Sequence, residues 1–149
     1  MRCATHADAL AENGGESYAR AAMLELGFAR PLLQVPVADP MNRASSYRLD
    51  YLWIPEGLDA EKILHGLATG ALGPGEAAGC VAGELDGRDK TFDERLAGGR
   101  DAQDRLLAER RREARLTYYG LRVARFSFAE VQDDAYLERL LSSYGVPRA

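Results

Sequence analysis

The spacing of apolar residues along the 149-residue chain predicts an alternation of helices and strands. Apolar residues every three or four positions indicate helices, whereas short alternating or continuous apolar runs indicate strands. Gly27 and Gly120 are the expected stops of two helices, because glycine readily adopts the left-handed conformation that follows a helix. Helices are expected at 16–26, 101–119 and 135–144, and strands at 32–37, 47–54, 78–83 and 121–127. This order favours a single α/β domain over residues 1–149, with helices on both faces of a mixed central sheet.

The stretch at 55–79 differs in character from the rest of the chain. Residues 59–68 have the pattern of a short helix, and residues 70–75 are rich in Gly and Pro. Long connections usually run over the protein surface, and they often carry binding residues. We therefore expect this segment to be a surface excursion or a contact element.

Three acidic residues lie in or beside the predicted strands, where acids are uncommon. Glu84 and Asp86 are two positions apart, so on an extended backbone both carboxylates leave the same face and repel each other. A divalent cation is the usual way to offset such repulsion. Asp50 lies in the strand 47–54 on the face where an unpaired carboxylate would be costly. The opposite face of that strand is expected to carry Tyr47, Leu49, Tyr51 and Trp53.

Several short motifs occur in an order that resembles a known family. They are Gly15-Glu16-Ser17, Leu33-Gln34-Val35, the run from Tyr47 to Trp53, Glu84-Leu85-Asp86-Gly87, the run from Glu109 to Glu113, and the run from Arg122 to Phe126. Together they resemble the very-short-patch-repair-like branch of the PD-(D/E)XK nuclease superfamily, a group with a domain of unknown function often found in actinobacteria. The resemblance implies a restriction-endonuclease-like three-layer fold, in which helices flank a central mixed sheet. It also makes the segment 55–79 an insertion, since family members have a tight hairpin there.

The resemblance further implies a metal-dependent nuclease site. Asp50 and Glu84 match the two acids of the superfamily, which would bind Mg²⁺ or Mn²⁺. Such an ion lowers the pKa of its bound water and screens the phosphate, and Mg²⁺ needs few protein ligands because it keeps several waters. The superfamily has a Lys two positions after the second acid, where this chain has Asp86, which we expect to be a third metal ligand or to orient water. Lys90 is a nearby amine that could serve the site, and its alternative role is that of a solvated loop lysine.

Four further residues match family positions around these acids. Glu16 and Gln34 are expected to line the site, although Glu16 could simply complement the helix dipole and Gln34 could satisfy a neighbouring backbone group. Arg112 and Arg125 are expected to contact phosphate or to brace the acids, because the planar guanidinium suits both partners. Structural ion pairs are the alternative interpretation of both arginines.

Composition excludes few function classes. A formal net charge of −4 is mildly unfavourable for binding nucleic acid, but several arginines are concentrated between 105 and 125. The apolar runs are too short to span a membrane. Cys3 and Cys80 are too few for a disulfide scaffold or a cysteine-based zinc site. We therefore expect a cytoplasmic protein with no membrane association.

These observations lead to competing hypotheses about function. The first is a DNA endonuclease that uses Mg²⁺ or Mn²⁺ in restriction, repair or defence. The second is a catalytically degenerate domain that binds nucleic acid or a protein partner, with a link to toxin–antitoxin-type regulation because relatives often carry this domain after a winged-helix segment. The third is a structural homodimer formed through the segment 55–79.

Overall fold

The computed structural model describes residues 14–86 and 100–149. Its elements are α1 (Gly14–Glu25), β1 (Leu32–Asp39), β2 (Asn42–Trp53), α2 (Ala60–Thr69), β3 (Val81–Asp86), α3 (Arg100–Tyr118), β4 (Arg122–Ser127), α4 (Phe128–Val131) and α5 (Asp134–Ser143). All the predicted helices and strands are present, and Gly27 and Gly120 follow their helices with φ values of 86° and 89°. Three differences from the prediction are the earlier start of β2, the shift of β3 from 78–83 to Val81–Asp86, and the presence of the short helix α4.

The four strands form one mixed sheet in the order β1-β2-β3-β4. β2 is antiparallel to both β1 and β3, whereas β4 runs parallel to β3. Parallel neighbours need a crossover connection, and α3 lies within the connection between β3 and β4. In this parallel pair Glu84 is the register partner of Arg125. The predicted α/β class with a mixed sheet is therefore confirmed.

Two apolar clusters pack against the sheet. The first joins α1 and α5 to the sheet and contains Trp53, whereas the second joins α2 and α3 to the sheet and contains Leu52. Adjacent residues of a strand point to opposite faces, so the two clusters lie on opposite faces of the sheet. Helices thus flank the sheet on both sides, an arrangement that fits a three-layer fold.

The segment 55–79 contributes to the second cluster, so the expectation of a surface excursion was wrong. Ile63 and Leu67 of α2 and the later Leu72 are buried in this cluster. Asp59 caps α2 by accepting a hydrogen bond from the Lys62 amide at 3.1 Å. The Gly- and Pro-rich composition of the segment obscured two apolar positions that are one helical turn apart and define a buried stripe.

β1 and β2 change the face that they bury partway along their pairing. Tyr47 and Leu49 belong to the second cluster, whereas Tyr51 and Trp53 belong to the first. The prediction of one apolar face shared by these four residues was therefore wrong. On β1, Gln34 lies between the two residues that pair with Tyr51 and Leu49 of β2. Its φ is 51°, which is in the left-handed region. Regular alternation fails at this point, and the candidate site lies beside it.

Candidate functional site

Asp50 and Glu84 lie where the pairing of β2 with β3 ends. The last paired residues are Tyr51 and Gly83, and the two acids are the next residues on their strands. The Oδ2 atom of Asp50 accepts a hydrogen bond from the Leu85 amide at 3.0 Å, so a side chain rather than a β2 carbonyl satisfies this amide. The negative charge of Asp50 also raises the pKa of Glu84, as expected for two neighbouring carboxylates. The structure thus brings together the two acids that the sequence singled out.

Glu84 is a buried carboxyl group with a perturbed pKa. The residue is 7% exposed, and burial raises its pKa from 4.5 to about 7. The Arg112 guanidinium opposes this shift, because its Nη2 donates a hydrogen bond to Glu84 Oε1 at 2.8 Å. Asp50 adds to the rise through like-charge repulsion. Burial outweighs the ion pair, so Glu84 changes its charge close to neutral pH.

Arg112 is held in place by groups of β2 as well as by Glu84. Its Nη2 also donates to the Arg48 carbonyl at 3.1 Å, and its guanidinium lies 4.8 Å from the centroid of the Tyr47 ring. The Tyr47 hydroxyl donates in turn to the Arg112 carbonyl at 3.4 Å. These contacts join α3 to the part of β2 that precedes Asp50. They also fix the side chain that neutralises Glu84.

Arg112 and Arg125 link three acids into one chain of alternating charge. Arg112 Nη1 lies 3.9 Å from Glu109 Oε1, and Arg125 Nη2 donates to Glu109 Oε2 at 2.9 Å. At the far end, Arg125 Nη1 lies 4.0 Å from Asp86 Oδ1. The order is therefore Glu84, Arg112, Glu109, Arg125 and Asp86, which we call the charge chain. The arrangement shows both arginines bracing acids, one of the two roles expected for them.

Asp86 differs from Glu84 although both belong to β3. Its side chain is 54% exposed, and its pKa is raised, with burial as the largest cause and Arg125 opposing the rise. Within residues 14–86 and 100–149, no three His, Cys, Asp or Glu side chains form a group that could hold a metal ion. The third-ligand role of Asp86 stays a prediction. Lys90 lies outside the described residues.

Glu16 is a buried residue of α1 that contacts β1 and β2. Glu16 is 6% exposed, and its Oε2 accepts a hydrogen bond from Gln34 Nε2 at 3.0 Å. The Tyr51 hydroxyl donates to the Glu16 carbonyl at 2.7 Å. Burial is the main cause of the raised Tyr51 pKa, to which Glu16 and Asp50 add, whereas Arg20 lowers it. The structure therefore links Glu16 to Gln34 on β1 and, through its backbone carbonyl, to Tyr51, the residue that follows Asp50. The expectation that Glu16 and Gln34 line a metal site stays a prediction.

Two residues of this region escaped the sequence analysis. Arg20 is 1% exposed, and it lies one helical turn after Glu16 on α1. The spacing of Glu16 and Arg20 is a signal that could have identified them as a buried pair of opposite charges. Tyr51 looked like an ordinary core aromatic residue, because sequence alone does not show where its hydroxyl group points.

The donor atoms of the site suit a divalent cation. Asp50 and Glu84 offer hard oxygen donors on adjacent strands, which suit a Mg²⁺ or Mn²⁺ ion that retains several water ligands. The charge chain and Asp50 together have four carboxylates and two guanidinium groups, so negative charge is in excess when all are ionised. A divalent cation would offset this excess. The two central acids therefore fit such an ion.

Comparison of the chain with models of protein families, with curated proteins and with solved structures gives no match in any of the three. Among the helices of the described ranges, none is long and apolar enough to cross a membrane. The candidate function therefore rests on the residues of the site.

Proposed function

We propose that this protein is a metal-dependent endonuclease that hydrolyses phosphodiester bonds in DNA, with a restriction-endonuclease-like fold. The observation that carries the proposal is the pairing of a buried carboxyl group, Glu84, with a second carboxylate, Asp50, at the ends of neighbouring strands. Keeping two acids close together in a partly buried place costs folding free energy. A site that binds a divalent cation gives this costly arrangement a function, because the cation would offset the repulsion.

The residues of the site have distinct roles in the proposed reaction. Asp50 and Glu84 would hold Mg²⁺ or Mn²⁺, and Asp86 would orient a water molecule or add a third carboxylate. When bound, the ion supplies a water of lowered pKa and screens the charge of the phosphate. Gln34 keeps Glu16 in place at the edge of the site through their hydrogen bond.

Arg112 and Arg125 would contact a phosphate group. The side chains of Arg112 and Arg125 are 25% and 28% exposed, so part of each can be reached from solvent. The Nε atom of each is buried and has no hydrogen-bond partner among residues 14–86 and 100–149, so the donors open to a phosphate are the terminal NH groups. Phosphate oxygens are strong acceptors for such groups, and the planar guanidinium can donate two parallel hydrogen bonds to them.

Metal titration combined with a plasmid-nicking assay tests the proposal. Calorimetry would measure Mn²⁺ binding by the wild type, by Glu84→Gln and by the control Glu56→Gln, which changes an exposed acid outside the site. We expect the wild type and the control to bind Mn²⁺ and nick DNA, and Glu84→Gln to lose at least about 100-fold in nicking rate. Equal nicking by Glu84→Gln and the wild type would contradict the proposal.

A second candidate function is a domain that binds nucleic acid or a partner protein without cutting, including a role in toxin–antitoxin-type regulation. It is favoured by one observation: the arginines of the charge chain already compensate Glu84 and Asp86, as they would in a structural ion-pair network. This function predicts DNA or partner binding that is independent of metal. It also predicts that Glu84→Gln binds as well as the wild type and that neither protein nicks a plasmid.

A further inference from the structure

We propose that Arg112 is a built-in counter-cation that occupies Glu84 in the metal-free protein and leaves this carboxylate when a divalent cation binds. The inference rests on the proposed function, because it assumes that Glu84 is a metal ligand. It goes beyond that function by assigning Arg112 an exchange between two positions. The exchange would couple occupation of the metal site to the release of a guanidinium near the phosphate.

The geometry places Arg112 in competition with a metal ion. Its Nη2 lies 2.8 Å from Glu84 Oε1, within direct hydrogen-bonding distance of a carboxylate oxygen that a metal would use. The Arg112 guanidinium and a divalent ion bound to Glu84 would be two positive charges at short range. A partly buried environment screens their repulsion poorly. The two cations therefore favour different positions, and binding of one disfavours the other.

Arg112 has other partners that remain available after it leaves Glu84. Glu109 lies one turn earlier on α3, with its Oε1 atom 3.9 Å from Arg112 Nη1, and the Arg48 carbonyl and Tyr47 ring also contact the guanidinium. The Arg112 side chain is 25% exposed, whereas that of Glu84 is 9% exposed. The guanidinium can thus move toward Glu109 and solvent without leaving a buried charge unpaired. A substrate phosphate would meet it there.

Arginine-selective ¹⁵N labelling tests this exchange directly in the wild-type protein. A guanidinium held by a carboxylate exchanges its protons slowly and gives distinct NMR signals. On titration with Mg²⁺, which is diamagnetic, we expect the Arg112 signals to shift and their protons to exchange faster. Arg115 is the internal control, because it lies on the same helix and its Nε is 3.0 Å from Asp39 rather than from a site acid. Mg²⁺ binding that leaves the Arg112 signals unchanged would overturn the inference alone.

Calorimetry of variants gives a second readout whose sign separates the alternatives. Arg112→Gln removes the competing cation, so at pH 9, where proton competition for Glu84 is reduced, we expect Mg²⁺ affinity to rise about tenfold. The control Arg115→Gln is expected to bind like the wild type. A fall in affinity for Arg112→Gln would mean that Arg112 positions Glu84 for the metal, and it would overturn the inference. Failure of the wild type to bind Mg²⁺ would overturn the proposed function and this inference together.

Discussion

The two ends of the β2–β3 pairing are only a few residues apart but differ sharply in chemistry. At one end Trp53 pairs with Val81 and Leu52 with Ala82, and all four residues are buried. At the other end the backbone pairing stops, and Asp50 and Glu84 follow. Regular alternation holds at the apolar end, whereas at the polar end β2 changes the face that it buries. One end is organised for packing, and the other collects charge.

The comparison shows how a sheet can support an unfavourable site. Packing around Trp53 is tight: a Cβ atom added to Gly83 would lie 3.0 Å from Trp53 Cζ3. Burial of large side chains there stabilises the folded state, and this offsets the free energy that the acids at the polar end cost. Functional sites commonly contain such locally unfavourable features, and they persist because the surrounding structure determines them. The candidate site is therefore expected to weaken the fold, and the apolar end to maintain it.

The largest expected effect comes from breaking the apolar end with Trp53→Ala. Trp53 is 2% exposed, and its Nε1 donates to the Ala29 carbonyl at 2.8 Å. Loss of this side chain should lower the free energy of unfolding by about 3–5 kcal/mol, measured by urea denaturation. The affinity for Mn²⁺ should stay within about twofold of the wild type under conditions where the variant is folded. A stable variant with altered metal affinity would show that the two ends are not separate.

A smaller effect is expected from truncating the arginines of the polar end. Arg112→Ala leaves the buried Glu84 without its nearest cation, so we expect a loss of about 2 kcal/mol at pH 8. Arg125→Ala is the matched control, because its partners Glu109 and Asp86 are roughly half exposed and water can replace it. Its expected loss is under about 1 kcal/mol. Equal losses of stability in urea denaturation would contradict the expectation that the burial of Glu84 makes its arginine the more costly one to remove.

The pH dependence of stability should distinguish Glu84 from Asp86. Burial raises the pKa of Glu84 from 4.5 to about 7, so the folded state binds more protons than the unfolded state between these values. Stability contributed by Glu84 is therefore present at low pH and is lost as the pH rises through this window, by on the order of 2 kcal/mol. Glu84→Gln should remove this loss, and Asp86→Asn should remove less. Urea denaturation at pH 5, 6.5 and 8 measures both, and a Glu84→Gln effect that is the same at every pH would contradict the expectation.

Much of the fold was predictable from the periodicity of apolar residues and from the glycines that end helices. Both signals depend only on residues close together in the sequence. The failures have a different origin. The buried role of α2 depends on Leu67 and Ile63 meeting β1 and β2, which composition does not reveal. The change of face in β2 occurs opposite Gln34 of β1, where the backbone is left-handed, and this residue is distant in sequence. Alternation within one strand could not predict it.

The proximity of the strand residues was predictable, but their contacts were not. Asp50, Glu84 and Gln34 lie on neighbouring strands, whereas Glu16 reaches this region from α1 through its hydrogen bond to Gln34. That these residues form a metal site stays a prediction. The partners of Arg112 and Arg125 could not be chosen in advance, because phosphate and carboxylate suit a guanidinium equally well. The roles of Arg20 and Tyr51 required knowledge of which side chains share a buried space.

The smallest predicted effect isolates the backbone at the change of face. Gln34 has a φ of 51°, a left-handed value that costs a residue with a Cβ atom about 1 kcal/mol. Gln34→Gly and Gln34→Ala both remove the hydrogen bond to Glu16, but only glycine relieves the backbone strain. Gln34→Gly should therefore be about 1 kcal/mol more stable than Gln34→Ala in urea denaturation. The two variants should show the same change in Mn²⁺ affinity, because each removes the same hydrogen bond to the Glu16 carboxylate. If glycine and alanine give equal stability, the backbone is relaxed at Gln34, and the irregularity at the polar end must be caused by the buried acids alone.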